Sequence, residues 1–238
     1  MNKYKVDILA FAAHPDDVEC AAAGVIINQT QTGGTVAIVD LTKGELGSYG
    51  NVELRFKETQ KATKIMGVKY RAQLSLKDGN IVNDEASRLL IIEQIRKFQP
   101  TIILCNAIRD RHPDHANAGK LVADAAFLSG LRMIKTSMNK EQQKEWRPKA
   151  IYHYIQDYFI QPDLVVDIAH VFEKKMEAIK AYSSQFVEPK NGNANGISAL
   201  ISQIESMNKI FGRPINSAFG EGYNVTRYLG VKNIMDII

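Results

Sequence analysis

The chain opens on a near-continuous apolar run, Val6 to Ala13, as a strand buried on both faces of a parallel sheet requires. Helical spacing follows from Glu19 to Gln31 and stops at Gly33-Gly34. Val36 to Leu41 predicts a second strand, and Val52 to Met66 a helix closed by Gly67. Ala72 to Leu76 predicts a short strand ahead of an Asp78-Gly79 turn. Leu89, Leu90, Ile92, Ile95 and Phe98 share one side of a helix from Ser87 to Phe98, which Pro100 prevents from continuing. Thr101 to Asn106 predicts a strand and His115 to Leu128 a helix. This alternation predicts an α/β fold, a Rossmann-like three-layer sandwich on a mostly parallel sheet. In such sheets ligands sit beyond the C-terminal ends of the strands.

The second half is a C-terminal elaboration of the same domain. Lys135 to Lys149 is polar and predicts a surface connection, followed by strands at Ala150 to Ile155 and Leu164 to Ile168. Val171 to Phe186 predicts a helix with Phe172, Met176, Ile179 and Tyr182 on one side. Glu188 to Gly196 reads as a loop, and Ile197, Leu200, Ile201, Ile204, Met207 and Phe211 as a second amphipathic helix. The apolar run Val231 to Ile238 is expected as a core strand or an interface strand. No repeat or linker divides the chain, so one domain over residues 1–238 is expected.

Composition narrows the class. A chain of 238 residues with 45% hydrophobic and 24% charged positions excludes wholesale disorder, collagen and a disulfide-stapled miniprotein. A net charge of +4, with its basic residues scattered, lacks the stripe of a nucleic-acid binder. No apolar run approaches the ~20 residues of a membrane helix. Asp7, His14, Asp16 and Asp17 leave no room for a signal peptide. Two distant cysteines, Cys20 and Cys105, without a CxxC spacing suit a reducing compartment, so a cytoplasmic protein without membrane partners is expected.

The chemistry lies in two loops. A dinucleotide-binding first strand opens into GxGxxG, whereas this one opens into His14-Pro15-Asp16-Asp17 with only Gly24 nearby. The second loop is Asp110-Arg111-His112-Pro113-Asp114-His115, and together the two hold three of the chain's five histidines. Both are predicted on one edge of the sheet. Two imidazoles and a carboxylate are the donor set of a catalytic zinc site with a position left open. Either triplet alone would read as a capped turn with a surface histidine. His153 is expected as a sheet residue, His170 as a helix cap and Cys105 as core. Cys20, a single thiol beside the first loop, makes no metal motif.

These motifs carry a resemblance. AHPDDVE (Ala13 to Glu19), KGELGSYG (Lys43 to Gly50) with Arg55 and Glu58, and DRHPDHANA (Asp110 to Ala118) resemble the PIG-L (LmbE-like) family of zinc-dependent de-N-acetylases. SGL (Ser129 to Leu131), RPKAIYHY (Arg147 to Tyr154), AYSSQF (Ala181 to Phe186) and EGY (Glu221 to Tyr223) extend the match over nearly the whole chain. DRHPDHANA, SGL and SQF point to the bacillithiol branch, whose members deacetylate N-acetylglucosaminyl-malate.

The resemblance implies one Zn2+ on His14, Asp17 and His115, and Asp16 as the general base for the attacking water. It implies His112 as the group that stabilises the tetrahedral intermediate or protonates the departing amine, with Asp114 orienting it and keeping it charged. It places Arg55 near the site, binding substrate or the oxyanion. Malate's carboxylates would need cations, for which Arg111, Arg55 and Lys43 are candidates, Arg111 serving equally as a loop clamp on Asp110. Glu45 and Tyr49 could reach the sugar, and Glu221 and Tyr223 could close the far side. The implied partner is a small-molecule glucosaminide, and a homo-oligomer is expected.

Two departures keep other readings open. Tyr49 stands where the bacillithiol branch usually has arginine, and Glu188 to Gly196 lacks the tyrosine that some relatives use on the oxyanion. Another N-acetylglucosamine-containing substrate is one alternative. A non-enzymatic Rossmann-like module holding a ligand or a metal is the alternative of a different class.

Overall fold

A computed structural model of the chain describes residues 2–186 and 197–237. The elements run β1 (Ile8–Ala12), α1 (Asp17–Gln31), β2 (Val36–Asp40), α2 (Val52–Ile65), β3 (Tyr70–Gln73), α3 (Glu85–Phe98), β4 (Ile102–Cys105) and α4 (Pro113–Ser129). A hairpin of β5 (Ser137–Met138) and β6 (Glu141–Gln142) leads to β7 (Ala150–Tyr154) and β8 (Leu164–Asp167). The chain continues through α5 (Phe172–Lys180), α6 (Ser183–Phe186), α7 (Ile197–Gly212) and β9 (Gly220–Val225).

The main sheet has the order β3-β2-β1-β4-β7-β9-β8. The first five strands pair in parallel and β9 pairs antiparallel with both β7 and β8, so β9 alone is reversed. The apolar run of β1 explains the layers. Ile8, Ala10 and Ala12 join a core with α1 and α5, while Leu9, Phe11 and Ala13 join the opposite core with α3 and α4. A strand buried on both faces needs that unbroken run. β1 pairs with β2 on one side and β4 on the other, so successive connections leave it in opposite directions. The crevice between the ends of β1 and β4 is the switch point, where a ligand site is expected.

The structure corrects several expectations. The single helix from Val171 to Phe186 is a 3-10 turn (Ala169–Val171), α5 and α6. The break falls where the Tyr182 hydroxyl turns inward to donate to Glu19, and Ser183 and Ser184 restart the helix by donating to the Glu58 carboxylate. The third strand begins two residues before Ala72, at Tyr70. The polar connection from Lys135 to Lys149 contains the β5–β6 hairpin. Val231 to Ile237 is not a strand: Asn233 Oδ1 accepts from the Met235 N–H, starting a 3-10 turn (Ile234–Ile237). The loop expected from Glu188 to Gly196 lies outside the described residues. No helix among the described residues is long and apolar enough to cross a membrane.

Candidate active site

Three histidines and their carboxylates meet at the switch point. The loop after β1 turns sharply at Asp16, which sits at φ 117°, a backbone region that costs a non-glycine residue about 1–3 kcal/mol. The turn starts α1 at Asp17 and presents His14, Asp16 and Asp17 to one cavity. The loop after β4 ends in His112, whose Nδ1 accepts from the Asp114 N–H and caps α4. One turn into α4, His115 faces His14, their ring centroids 5.4 Å apart.

Each implied metal-ligand imidazole has its outer nitrogen on a carboxylate and its inner nitrogen toward Asp17. His115 Nδ1 lies 2.8 Å from Asp110 Oδ2, and its Nε2 is 3.2 Å from Asp17 Oδ1. His14 Nε2 lies 3.0 Å from Asp78 Oδ1 and 3.3 Å from Asp114 Oδ2, while Nδ1 is 3.7 Å from Asp17 Oδ2. A tetrahedral ion with bonds of about 2.0–2.1 Å separates its ligands by roughly 3.3 Å; the His115–Asp17 spacing is near that value, the His14–Asp17 spacing is wider, and the two imidazoles approach different Asp17 oxygens. Carboxylates behind the imidazoles fix ring orientation and tautomer, as protein zinc sites require. Asp17 is itself oriented: Asn106 Nδ2 donates to Oδ2 and Gln156 Nε2 to Oδ1. Among the described residues two donor groups lie close enough for one ion, His14 with His112 and His115, and His14 with Asp78 and Asp114, and neither includes the implied ligand Asp17.

The electrostatics follow from burial and close charges. Burial alone would push the His14 imidazole down, but hydrogen bonds to Asp17 and Asp78 hold it up, to about 11. His115 is held up to about 9, against burial, by Asp17 and Asp110. Asp17 stays well below the usual carboxylate range because the two imidazoles outweigh its burial. Asp16 is pushed up to about 7 by burial, opposed by the Arg55 guanidinium. Arg55 Nη2 donates to Asp16 Oδ2 at 2.6 Å, and its Nε and Nη2 both donate to the Pro15 carbonyl. His112 is held below its ordinary value by burial and by the neighbouring imidazoles.

A cavity of about 180 Å3 opens onto this cluster, walled by Phe186, Leu200 and Ile204 on one side and by Gln156, Asp157 and Gln203 on another. His14, Asp16, Asp17, Arg111, His112 and His115 all reach it. Other candidates do not. Lys43 is exposed outside the cavity wall, and Glu45 accepts from the Lys43 and Asp78 N–H groups. Tyr49 is half exposed, with its carbonyl accepting from Gln185. Arg111 is paired with Asp157, not clamped to Asp110 through its side chain.

Two roles need correction. The Asp114 carboxylate does not hold His112: it accepts from the Gly79 and Ile81 N–H groups and faces His14, and only its backbone N–H reaches His112. Glu221 and Tyr223 do not close the cavity. Both are buried in β9, where the Glu221 carboxylate accepts from Lys175, Tyr223 and the Gly24 and Val25 N–H groups. Sequence reasoning missed Asp78, Asn106, Gln156 and Gln203, and gave Asp110 no part behind His115. Asn106 and Gln156 had a signal: each is a polar residue just past a strand on the ligand edge.

The family model for GlcNAc-PI de-N-acetylase, PIG-L, matches residues 9–126. The diacetylchitobiose deacetylase of Thermococcus kodakarensis is 31% identical over 191 residues, 76% of this chain and 70% of that protein. A probable N-acetyl-alpha-D-glucosaminyl L-malate deacetylase 2 of Bacillus anthracis is 24% identical over 218 residues, 83% of this chain and 91% of the relative. The crystal structure of the conserved protein TT1542 from Thermus thermophilus superposes with a TM-score of 0.84 at 28% identity, covering 95% of this chain and 98% of that one. With the family model matching residues 9–126 and a relative 31% identical over 76% of the chain, the chain belongs to the PIG-L family of deacetylases.

Proposed function

We propose that this chain is a metal-dependent N-deacetylase of a small N-acetylglucosaminide, with one divalent ion on His14, Asp17 and His115. The observation that carries the reading is the pair of carboxylate-backed imidazoles turned toward Asp17, beside a partly buried second carboxylate, Asp16. The nitrogen and oxygen donors suit Zn2+. Held there, a divalent ion would supply Lewis acidity at the acetamide carbonyl and lower the pKa of the attacking water. Asp16 accepts the proton of that water, and Arg55 favours its ionised form against the upward push of burial. The proton held on Asp16 passes to the departing amine as the carbon–nitrogen bond breaks, while His112, whose Nδ1 accepts from the Asp114 N–H, turns its Nε2–H toward the oxygen of the tetrahedral intermediate. The apolar wall of Phe186, Leu200 and Ile204 excludes water from the acetyl end.

N-acetylglucosaminyl-malate is the substrate that the bacillithiol-branch resemblance suggests. An uncharged N-acetylglucosaminide is favoured by a specific observation: Arg111 is the one Lys or Arg among the described cavity residues, and Asp157 already neutralises it. The two free cysteines suit a reducing, cytoplasmic setting. The test is amine release from N,N'-diacetylchitobiose, methyl N-acetylglucosaminide and N-acetylglucosaminyl-malate, with and without chelator. Chelator-sensitive release from at least one supports the reading. Tight nucleotide binding without hydrolysis of any would replace it with the binding-module alternative.

A further inference from the structure

The cavity mouth carries a charge arrangement that the deacetylation chemistry does not use. Asp157 follows β7 and is fixed from several directions. Gln203 of α7 donates one amide to both the Asp157 carbonyl, at 2.6 Å, and its Oδ1, at 2.7 Å. The Tyr158 N–H next to it donates to Asp110 Oδ1, tying the segment to the carboxylate behind His115. Oδ2 is taken by Arg111 Nε. Both carboxylate oxygens are therefore engaged and the side chain is 17% exposed, whereas the Arg111 side chain is 67% exposed. The acid is the fixed partner and the arginine the movable one.

Three carboxylates, Asp16, Asp17 and Asp157, reach the cavity against one guanidinium. In the proposed function the divalent ion and Arg55 more than offset the first two, so the charge of the mouth rests on the Arg111–Asp157 pair. An anionic aglycone entering the mouth must draw Arg111 away from Asp157, leaving a fixed carboxylate unpaired beside the incoming one. Like charges juxtaposed in this way reject a partner more effectively than a missing attraction does. An uncharged sugar meets no such penalty, and the Asp157 and Gln203 polar atoms can hydrogen-bond its hydroxyls.

We infer that Asp157 is a specificity-determining residue, selecting N-acetylglucosaminides with an uncharged aglycone over those bearing carboxylates. The inference rests on the deacetylase reading and adds the residue that sets its substrate charge.

The experiment compares kcat/KM for N-acetylglucosaminyl-malate and methyl N-acetylglucosaminide in wild type, Asp157→Asn and Arg111→Gln, each metal-loaded. Asparagine keeps the volume and still accepts from Gln203. The malate-to-methyl ratio should rise about tenfold in D157N and fall severalfold in R111Q, where Asp157 is left uncovered. A ratio within about twofold of wild type in D157N, or one that rises in R111Q, overturns the inference. If D157N does not fold, the exposed Arg111 variant decides by the same ratio. Loss of amine release from both glycosides in the wild type counts against the deacetylase reading instead. Asp157 is then judged by calorimetric binding of the two glycosides, where D157N must tighten the malate conjugate selectively; equal changes overturn it.

Discussion

Glu221→Gln separates a structural role from a substrate-binding one. The Glu221 carboxylate lies 2.8 Å from Lys175 Nζ, and both side chains are fully buried. It also accepts from the Gly24 and Val25 N–H groups inside α1. That approach is possible because residue 24 has no side chain: a Cβ there would lie 2.5 Å from Ile168 Cγ2 and 3.0 Å from Glu221 Oε1. Glutamine keeps the shape and one acceptor oxygen, so the substitution strands the lysine charge and takes the acceptor from the pair of donors on the other oxygen, Gly24 N–H with Lys175 or Val25 N–H with Tyr223 O–H. Breaking a fully buried pair from one side costs about 3–5 kcal/mol, which for a chain of this size lowers Tm by roughly 6–20 °C. Thermal unfolding by circular dichroism reads the loss. Adding Lys175→Met removes the stranded ammonium and should recover about half of it, while KM, measured well below Tm, stays within about twofold. A Tm near wild type with KM raised about tenfold would refute the reasoning and return Glu221 to the substrate.

Other outcomes follow from the site and surface. Asp110→Asn removes the charge behind His115 Nδ1 and should weaken metal binding about 10–100-fold, measured by competition with a chromogenic chelator. Arg55→Met removes the cation that opposes the upward push on Asp16. Because Asp16 must be ionised to accept a proton, the rising limb of kcat/KM against pH should move about 1–3 units alkaline, and an unmoved limb would uncouple the pair. Tyr228 is 99% exposed and Ile234 70%, a surface that a homo-oligomer would cover; sedimentation should show an assembly that Tyr228→Ser with Ile234→Asp reduces to monomer.

Chemistry read locally was legible in the sequence where it sat in contiguous motifs. HPDD and HPDH place their residues on turns entering helices, and the strand runs before them fix which edge of the sheet those turns occupy. The central strands were legible for the same reason, since double-sided burial forces an unbroken apolar run. What escaped depends on pairing between distant segments. Asp78 reaches His14 across 64 residues of sequence, and Gln203 reaches Asp157 across 46, with no local pattern to announce either contact. Glu221 shows the converse. A polar EGY stretch reads as exposed chemistry, yet β9 is the one reversed strand of the main sheet and carries that carboxylate beneath α1, onto a lysine from α5.

The same distinction bears on substrate choice. The proposed metal donors and Asp16 lie in the two histidine–carboxylate motifs, both within residues 9–126 that the family model matches. The charge of the cavity mouth is set by Arg111 and Asp157, from the loops after β4 and β7, with Gln203 of α7 fixing Asp157, and only Arg111 lies within a motif. Resemblance in the motifs therefore carries the hydrolysis further than it carries the aglycone. A relative can keep the first and change the second by altering one carboxylate outside them, so the acid at position 157, more than overall identity, is where the substrate question should be put to experiment.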